Sequence, residues 1–279
     1  GLISGCGAAG ALFRRFPQVD RAFMFSSSHL GRTVATLAAL KRRPYDLAID
    51  PVLRSRTGRF LLGYVRARER LGFSWGEPAH DRMLTHVADP RSAPPHMALS
   101  PLYLLRSAYG AQASQPQGAA AAQGDAADLT LDLRLTDSER RAGEQRLAQM
   151  LGARDRQHPW LGIYAHATGA KGYPVGWWHE VIACLRRHCG SARLVEFIPV
   201  DRRARLADLI PGLYTPDLRL LAATLAATSL VVIPDGGVMH LAEAAGAPVR
   251  VLFKTSEPAY YGPYGARFQS MGTRDSSAE

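Results

Sequence analysis

The sequence has few cysteines, no long apolar run, no paired acid motif for a metal and no internal repeat, and each shortage excludes a class of protein. Its three cysteines are Cys6, Cys184 and Cys189. The number is odd and no Cys-x-x-Cys occurs, so neither a disulfide framework nor a zinc site is expected; plain thiols in a reducing cytoplasm fit better. No run reaches the roughly 18 apolar residues that a membrane span needs. The longest apolar stretch, Leu220 to Pro234, is broken by Thr224, Thr228 and Ser229 and reads as a helix followed by a strand. No Asp-x-Asp pair and no His/Cys cluster with ligand spacing appears, so no metal and no cofactor is expected. The chain opens at Gly1 without an initiator Met or a basic-then-apolar leader, and on that ground a fragment is expected.

What is present is a globular composition with a lopsided charge. Hydrophobic residues make up 47% and charged residues 21%, too apolar for a disordered chain. The net charge is +10, and residues 1–75 carry 13 Lys or Arg against 4 Asp or Glu. The basic character therefore belongs to the first part of the chain. Such a field attracts phosphates, an acidic membrane surface or nucleic acid, or it is simply a solvated face. No nucleic-acid-binding motif accompanies it, so nucleic acid is not expected as a partner. The expected contributors are Lys41, Arg42, Arg43, Arg54, Arg56 and Arg59.

The chain alternates strands with helices. In the first half, helices are expected over Ala8–Phe16, Thr33–Lys41 and Arg54–Val65. Strands are expected at the end of Gly1–Cys6 and over Arg21–Phe25, Asp46–Asp50 and Arg70–Phe73. Gly110–Asp128, rich in Ala, Gln and Gly, reads as a linker. It divides the chain into domains 1–128 and 129–279. The second half opens with a helix over Thr136–Leu151, where Thr136 and Glu139 form a capping-box pattern. Strand Trp160–His166, helix Gly176–His188, strand Arg193–Ile198 and helices Arg202–Leu209 and Leu218–Ala227 follow. Strand Leu230–Pro234, helix Gly237–Ala245 and strand Val249–Phe253 complete the series. This alternation implies an α/β fold of parallel βαβ units, whose ligands bind beyond the carboxyl ends of the strands.

Three loops after strands carry the candidate chemistry. His166-Ala-Thr168-Gly-Ala-Lys171-Gly-Tyr-Pro174 offers close backbone approach, a hydroxyl and a positive charge, which suit a phosphate group. A basic surface loop would look the same. In Pro234-Asp235-Gly236-Gly237-Val238-Met239-His240, paired glycines at a helix start expose free N–H groups to an anion. Asp235 could accept from ligand hydroxyls or cap the helix. His240 could be a ligand donor or a structural histidine. Glu257–Gly265 is a turn-rich aromatic loop of the kind that can line a base or sugar pocket.

These residues carry a family resemblance. VVIPDGGVMHLAEAAGAPVRVLFKTSEPAYYGPYG, residues 231–265, resembles the signature of the lipopolysaccharide heptosyltransferases, which form glycosyltransferase family 9. YAHATGAKGYPVGWWHEVI, residues 164–182, is similar to the family's phosphate loop and following helix. RRPYDLAID with LRS (42–50 and 53–55) and Arg70-Leu-Gly-Phe73 also match, so the likeness runs from about residue 11 to residue 265. It implies a GT-B type α/β fold with two facing Rossmann-like domains. The first would be the acceptor side, here truncated, and the second would hold the nucleotide sugar.

The resemblance also implies roles. Thr168 and Lys171 would contact donor phosphates, and Asp235, Gly236, Gly237 and His240 would line the donor site. The reaction would be a metal-independent, inverting transfer of a heptose from an ADP-heptose-like donor to a lipopolysaccharide core acceptor. The phosphorylated lipid acceptor and the anionic inner membrane would be partners, and the enzyme would be cytoplasmic, peripheral at the inner face. The family's usual general-base Asp, near its first strand, has no match here. Gly236 replaces the usual Ser or Thr, and Lys254 and Thr255 replace the usual Gly-Pro. A non-catalytic relative that binds nucleotide sugar, or a transferase of another sugar, are the alternatives.

Overall fold

The computed structural model of the chain describes residues 2–4, 8–24, 30–110, 130–155, 157–201, 203–263 and 268–273. Two compact units emerge, residues 1–9 with 19–128 and residues 10–18 with 129–279. Apart from Gly110, the segment read as a linker lies outside the described residues, as do Cys6 and Phe25.

In the first unit β1 (Leu2–Ser4) pairs in parallel with β2 (Ala22–Met24); α1 (Ala8–Phe13), which falls between them in the sequence, belongs to the second unit from Gly10 onward. After α2 (Leu30–Arg42) a second parallel sheet runs through β3 (Pro44–Asp50), β4 (Arg66–Phe73) and β5 (His86–Ala88). The connections are α3 (Arg56–Tyr64) and the single turn α4 (Pro78–Asp81), and α5 (Ser100–Tyr109) follows β5. Ser55 starts α3 by accepting the Gly58 N–H at 3.0 Å, a cap that contributes about 1 kcal/mol. Leu71, Phe73, Ala88 and Leu104 form one buried cluster, and Phe23, Leu40 and Val65 another.

Arg59 corrects the reading of the basic residues. It is 1% exposed, so it adds nothing to a solvated face. It shares the inner side of α3 with Leu62, three residues on, as helical spacing requires. Its guanidinium donates to the Phe73 and His80 carbonyls at 2.7 and 3.3 Å and lies over the Trp75 ring. Composition counts a charge without saying which way the helix turns it.

The second unit is built on the largely apolar strands the sequence displays. After α6 (Asp137–Leu151) come β6 (Trp160–Ile163), α7 (Val175–Cys189), β7 (Arg193–Phe197) and β8 (Gly212–Leu213). Then follow α8 (Leu218–Ala226), β9 (Leu230–Pro234), α9 (Gly237–Ala244), β10 (Val249–Phe253), the single turn α10 (Pro258–Tyr261) and β11 (Phe268–Gly272). All six strands are parallel, in the order β11-β10-β9-β6-β7-β8. Counted from β6 this is the Rossmann order, which reverses direction between β6 and β9.

Alternate residues feed two cores. Trp160, Val195, Phe197, Val231, Ile233, Val249, Val251 and Phe253 face one way, with Leu147 of α6 and Leu221 of α8. Leu161, Ile163, Leu194, Val232 and Leu252 face the other, with Trp178 and Ile182 of α7. Burial on both faces is what a parallel sheet between helix layers demands, and it explains the unbroken Leu-Val-Val-Ile run. Each such side chain contributes about 1.5–3 kcal/mol. The capping box of α6 forms as expected, with Thr136 accepting the Glu139 N–H and Glu139 accepting the Thr136 N–H.

One expected helix is absent. Residues 203–209 run in turns, not in a helix over 202–209. The cause is Glu196, at the end of β7. Its carboxylate accepts the backbone N–H groups of Arg205 and Leu206, each at 2.9 Å. The Leu206 N–H is the donor a helix from 202 would need for its first internal bond.

Candidate functional site

The carboxyl ends of β6 and β9 are neighbours, because the chain leaves the sheet in opposite directions from them. This switch point is where an open α/β sheet leaves a crevice. Two turns overhang it. The first, after β6, tightens into one 3-10 turn over Gly169–Lys171. Gly169 takes φ +59°, a left-handed conformation that glycine adopts without strain. Thr168 precedes that turn, exposed, with a hydroxyl that caps nothing. The second turn, after β9, is Asp235-Gly236-Gly237 and opens α9.

Lys171 joins the two turns. Its ammonium nitrogen lies 2.5 Å from Asp235 Oδ2. The Ser256 hydroxyl donates to the same oxygen. Asp235 is 5% exposed, whereas the Lys171 side chain is 36% exposed, so the cation reaches solvent while its counter-ion does not. The helix-capping role for Asp235 is not taken: Gly236 stands at the cap, and among the described residues no side chain bonds the free N–H groups of α9. A Cβ on Gly237 would meet nothing within 4 Å, so the helix start is open. An open N-terminus with its N–H groups unspent, beside a lysine, can hold a phosphate.

The other expected residues lie around this pair without bonding to it. His240 is half-buried, one turn into α9, with Nδ1 3.5 Å from a carboxylate oxygen of Glu243. Among the described residues no hydrogen bond or ion pair joins Thr168 or His240 to Lys171 or Asp235. From the aromatic loop, the Tyr261 ring faces Lys171 at 5.8 Å. Residues 264–265 of that loop lie outside the described residues.

Several residues around these turns were given no role from the sequence. Lys254, at the end of β10, donates to the Gly172 carbonyl at 3.1 Å and lies over the Tyr173 ring at 5.4 Å. Tyr173 in turn stacks on Trp177 with centroids 4.3 Å apart. Arg205 donates to the carbonyls of Ala165 and Tyr173, both at 3.0 Å, and so ties both ends of the loop after β6. Glu196 is fully buried, with His166 Nε2 3.5 Å from Oε1. Burial works to raise the Glu196 pKa. The nearby His166 ring and the hydrogen bonds from the Arg205 and Leu206 N–H groups outweigh it, and the carboxyl stays below its usual range. A signal was available for this residue: it is the one acid within an otherwise apolar strand end, Leu-Val-Glu-Phe.

Within the first unit a cavity of about 630 Å³ is lined by Phe23, Leu40, Leu47, Ile49 and Leu62, with Asp50 at its edge. Burial pushes the Asp50 pKa up, against the Val52 N–H and the Arg59 charge. Among the described residues no group of three or more His, Cys, Asp or Glu is placed to hold a metal ion, and no helix is long and apolar enough to cross a membrane. Cys184 is half-buried and Cys189 exposed, both as free thiols.

Known proteins echo this architecture. The family model described as glycosyltransferase family 9 (heptosyltransferase) matches residues 34–279. A glycosyl transferase family 9 structure from Veillonella parvula superposes with a TM-score of 0.72 at 16% identity, covering 95% of this chain and 76% of that one. E. coli ADP-heptose LPS heptosyltransferase II gives a TM-score of 0.67 at 19% identity, covering 94% and 77%. E. coli heptosyltransferase WaaC, solved with ADP, gives 0.64 at 19% identity, covering 94% and 80%. Among curated proteins none matches. At such identities the solved structures establish the fold: α/β with parallel sheets, as in the GT-B-like heptosyltransferases.

Proposed function

The chain belongs to glycosyltransferase family 9, and on that premise we propose that its second unit binds a nucleotide-diphosphate sugar, ADP-heptose or a close analogue, for inverting transfer to a lipopolysaccharide core acceptor. The observation that carries this reading is the convergence of two strand-to-helix turns at the β6/β9 switch point, joined by the Lys171–Asp235 pair. Lys171, Thr168 and the free N–H groups of α9 would neutralise the diphosphate, before and during its departure, without a metal. Asp235 and His240 would meet hydroxyls of the donor. The ADP held by WaaC and the family match favour adenine and heptose.

The first unit would serve the acceptor. Lys41, Arg42, Arg43, Arg54 and Arg56 are exposed there and suit a phosphorylated lipid and an anionic membrane surface, on the cytoplasmic side. The test is ADP release from ADP-heptose with a heptose-deficient lipopolysaccharide core, with and without a chelator. Chelator-insensitive release is expected. Tight ADP binding with no release would identify the nucleotide-sugar-binding relative instead. Absence of any ADP or ADP-sugar binding would refute the donor site itself.

A further inference from the structure

A third loop reaches the switch-point crevice, and it carries a lysine that the proposed donor site does not use. Lys254 and Ser256 follow β10, which neighbours β9 in the sheet. The Ser256 hydroxyl donates to Asp235 at the end of β9. Lys254 reaches further, to the loop after β6, and donates to the Gly172 carbonyl at 3.1 Å. Gly172 adjoins Lys171, so both ammonium groups meet the same turn. Their charges are compensated differently. Lys171 is paired with the buried Asp235 carboxylate, and the pair has no net charge. Lys254 is held by the Gly172 carbonyl and by the face of the Tyr173 ring at 5.4 Å, both neutral partners. Among the described residues it forms no ion pair. The side chain is half-buried, so water solvates its charge only in part.

We propose that Lys254 is a second diphosphate-binding lysine of the donor site, and the one whose charge no protein carboxylate cancels. The inference rests on the donor-site reading given above and deepens it. A carbonyl and an aromatic face fix where an ammonium sits, but they bring only partial charges to it. An anion entering between the turns therefore meets the whole charge of Lys254, whereas it shares Lys171 with Asp235. A lysine ammonium has three N–H groups, and the Gly172 carbonyl takes one, which leaves donors for phosphate oxygens. The attraction acts on charge, so it favours a diphosphate over a monophosphate and ignores base and sugar. The bond to Gly172 also ties the loop after β6 to the end of β10, and that clamp would act without any charge. The two roles are separable by substitution.

The experiment is calorimetric titration of the full chain with ADP and with AMP, for wild type, Lys254→Gln, Lys254→Met and Lys254→Arg. Gln keeps a donor for the Gly172 carbonyl and loses the charge, Met loses both, and Arg keeps both. Lys254→Gln should bind ADP about tenfold more weakly than wild type, and AMP only about threefold more weakly. Lys254→Met should behave like Lys254→Gln, and Lys254→Arg should stay within about threefold of wild type. The ADP deficit of Lys254→Gln should shrink as salt rises from about 0.1 M to about 1 M, because the screening length falls from about 10 Å to about 3 Å. Should Lys254→Met fail to fold, the Gln and Arg variants decide alone. ADP affinity of Lys254→Gln within about twofold of wild type overturns the inference and leaves the donor site standing. So does a deficit as large for AMP as for ADP, or one that salt does not reduce. No ADP binding by wild type overturns the donor site as well.

Discussion

Replacing Lys171 by Met separates what the Lys171–Asp235 pair does for the fold from what it does for a ligand. Met keeps the stem of the side chain and removes its charge. Asp235, 5% exposed, would then keep the Ser256 hydroxyl but lose its cation. For a fully buried pair such a loss costs about 3–5 kcal/mol. Lys171 is 36% exposed, so water partly replaces it and about 1–2 kcal/mol is expected, a fall in Tm of about 3–6 °C. The effect on binding has a different origin. A hydrogen bond to a charged partner is worth about 1.5–3 kcal/mol; discounted for the same exposure, the loss should weaken ADP by about tenfold to thirtyfold. Adding Asp235→Asn removes the stranded carboxylate. The double variant should therefore recover most of the Tm and none of the ADP affinity. Differential scanning calorimetry and titration calorimetry on the same samples read the two effects. ADP affinity within twofold of wild type in Lys171→Met would refute the assignment of this lysine to the phosphates.

Three further outcomes follow from the packing and the charges. Glu139 is held well below the usual carboxylate range, chiefly by Arg219, whose Nε donates at 2.6 Å and Nη2 at 2.9 Å. Its folded pKa is depressed, so its contribution is present above the unfolded value of about 4.5 and is lost as pH falls below it. Glu139→Gln should cost about 3 kcal/mol at neutral pH, because Arg219 is buried, and should flatten the acid side of a urea-midpoint profile; an unchanged profile would count against the pair. Gly143 of α6 lies against α8, where an added Cβ would sit 2.4 Å from the carbonyl carbon of Ala223. Backbone cannot yield there, so Gly143→Ala should lose about 1–2 kcal/mol in chemical denaturation despite the better helix propensity of alanine, and a gain would show that the two helices part readily. Neutralising Lys41, Arg42, Arg43, Arg54 and Arg56 together should abolish salt-sensitive co-sedimentation with anionic vesicles, while ADP affinity stays unchanged; equal sedimentation of both proteins would make the patch ordinary solvated surface.

The elements legible in the sequence were those whose cause is local. The unbroken apolar run of β9 reads as a strand covered on both sides, and Thr136 with Glu139 announces the start of α6 within four residues. The two anion-suited turns were legible for the same reason, since glycines after a strand and before a helix need no distant partner to be recognised. The tertiary structure alone decided which charges meet. Lys171 and Asp235 are 64 residues apart, and only the strand order that sets β6 beside β9 brings them to 2.5 Å. The same holds for Glu196, whose carboxylate turns a helix-like sequence into a turn by capturing two backbone donors, and for Arg59, which counted as surface charge until α3 faced it inward. Hydrophobic period and turn chemistry are written in neighbouring residues. Charge pairing and its burial depend on distances that exist only once the sheet has closed its order.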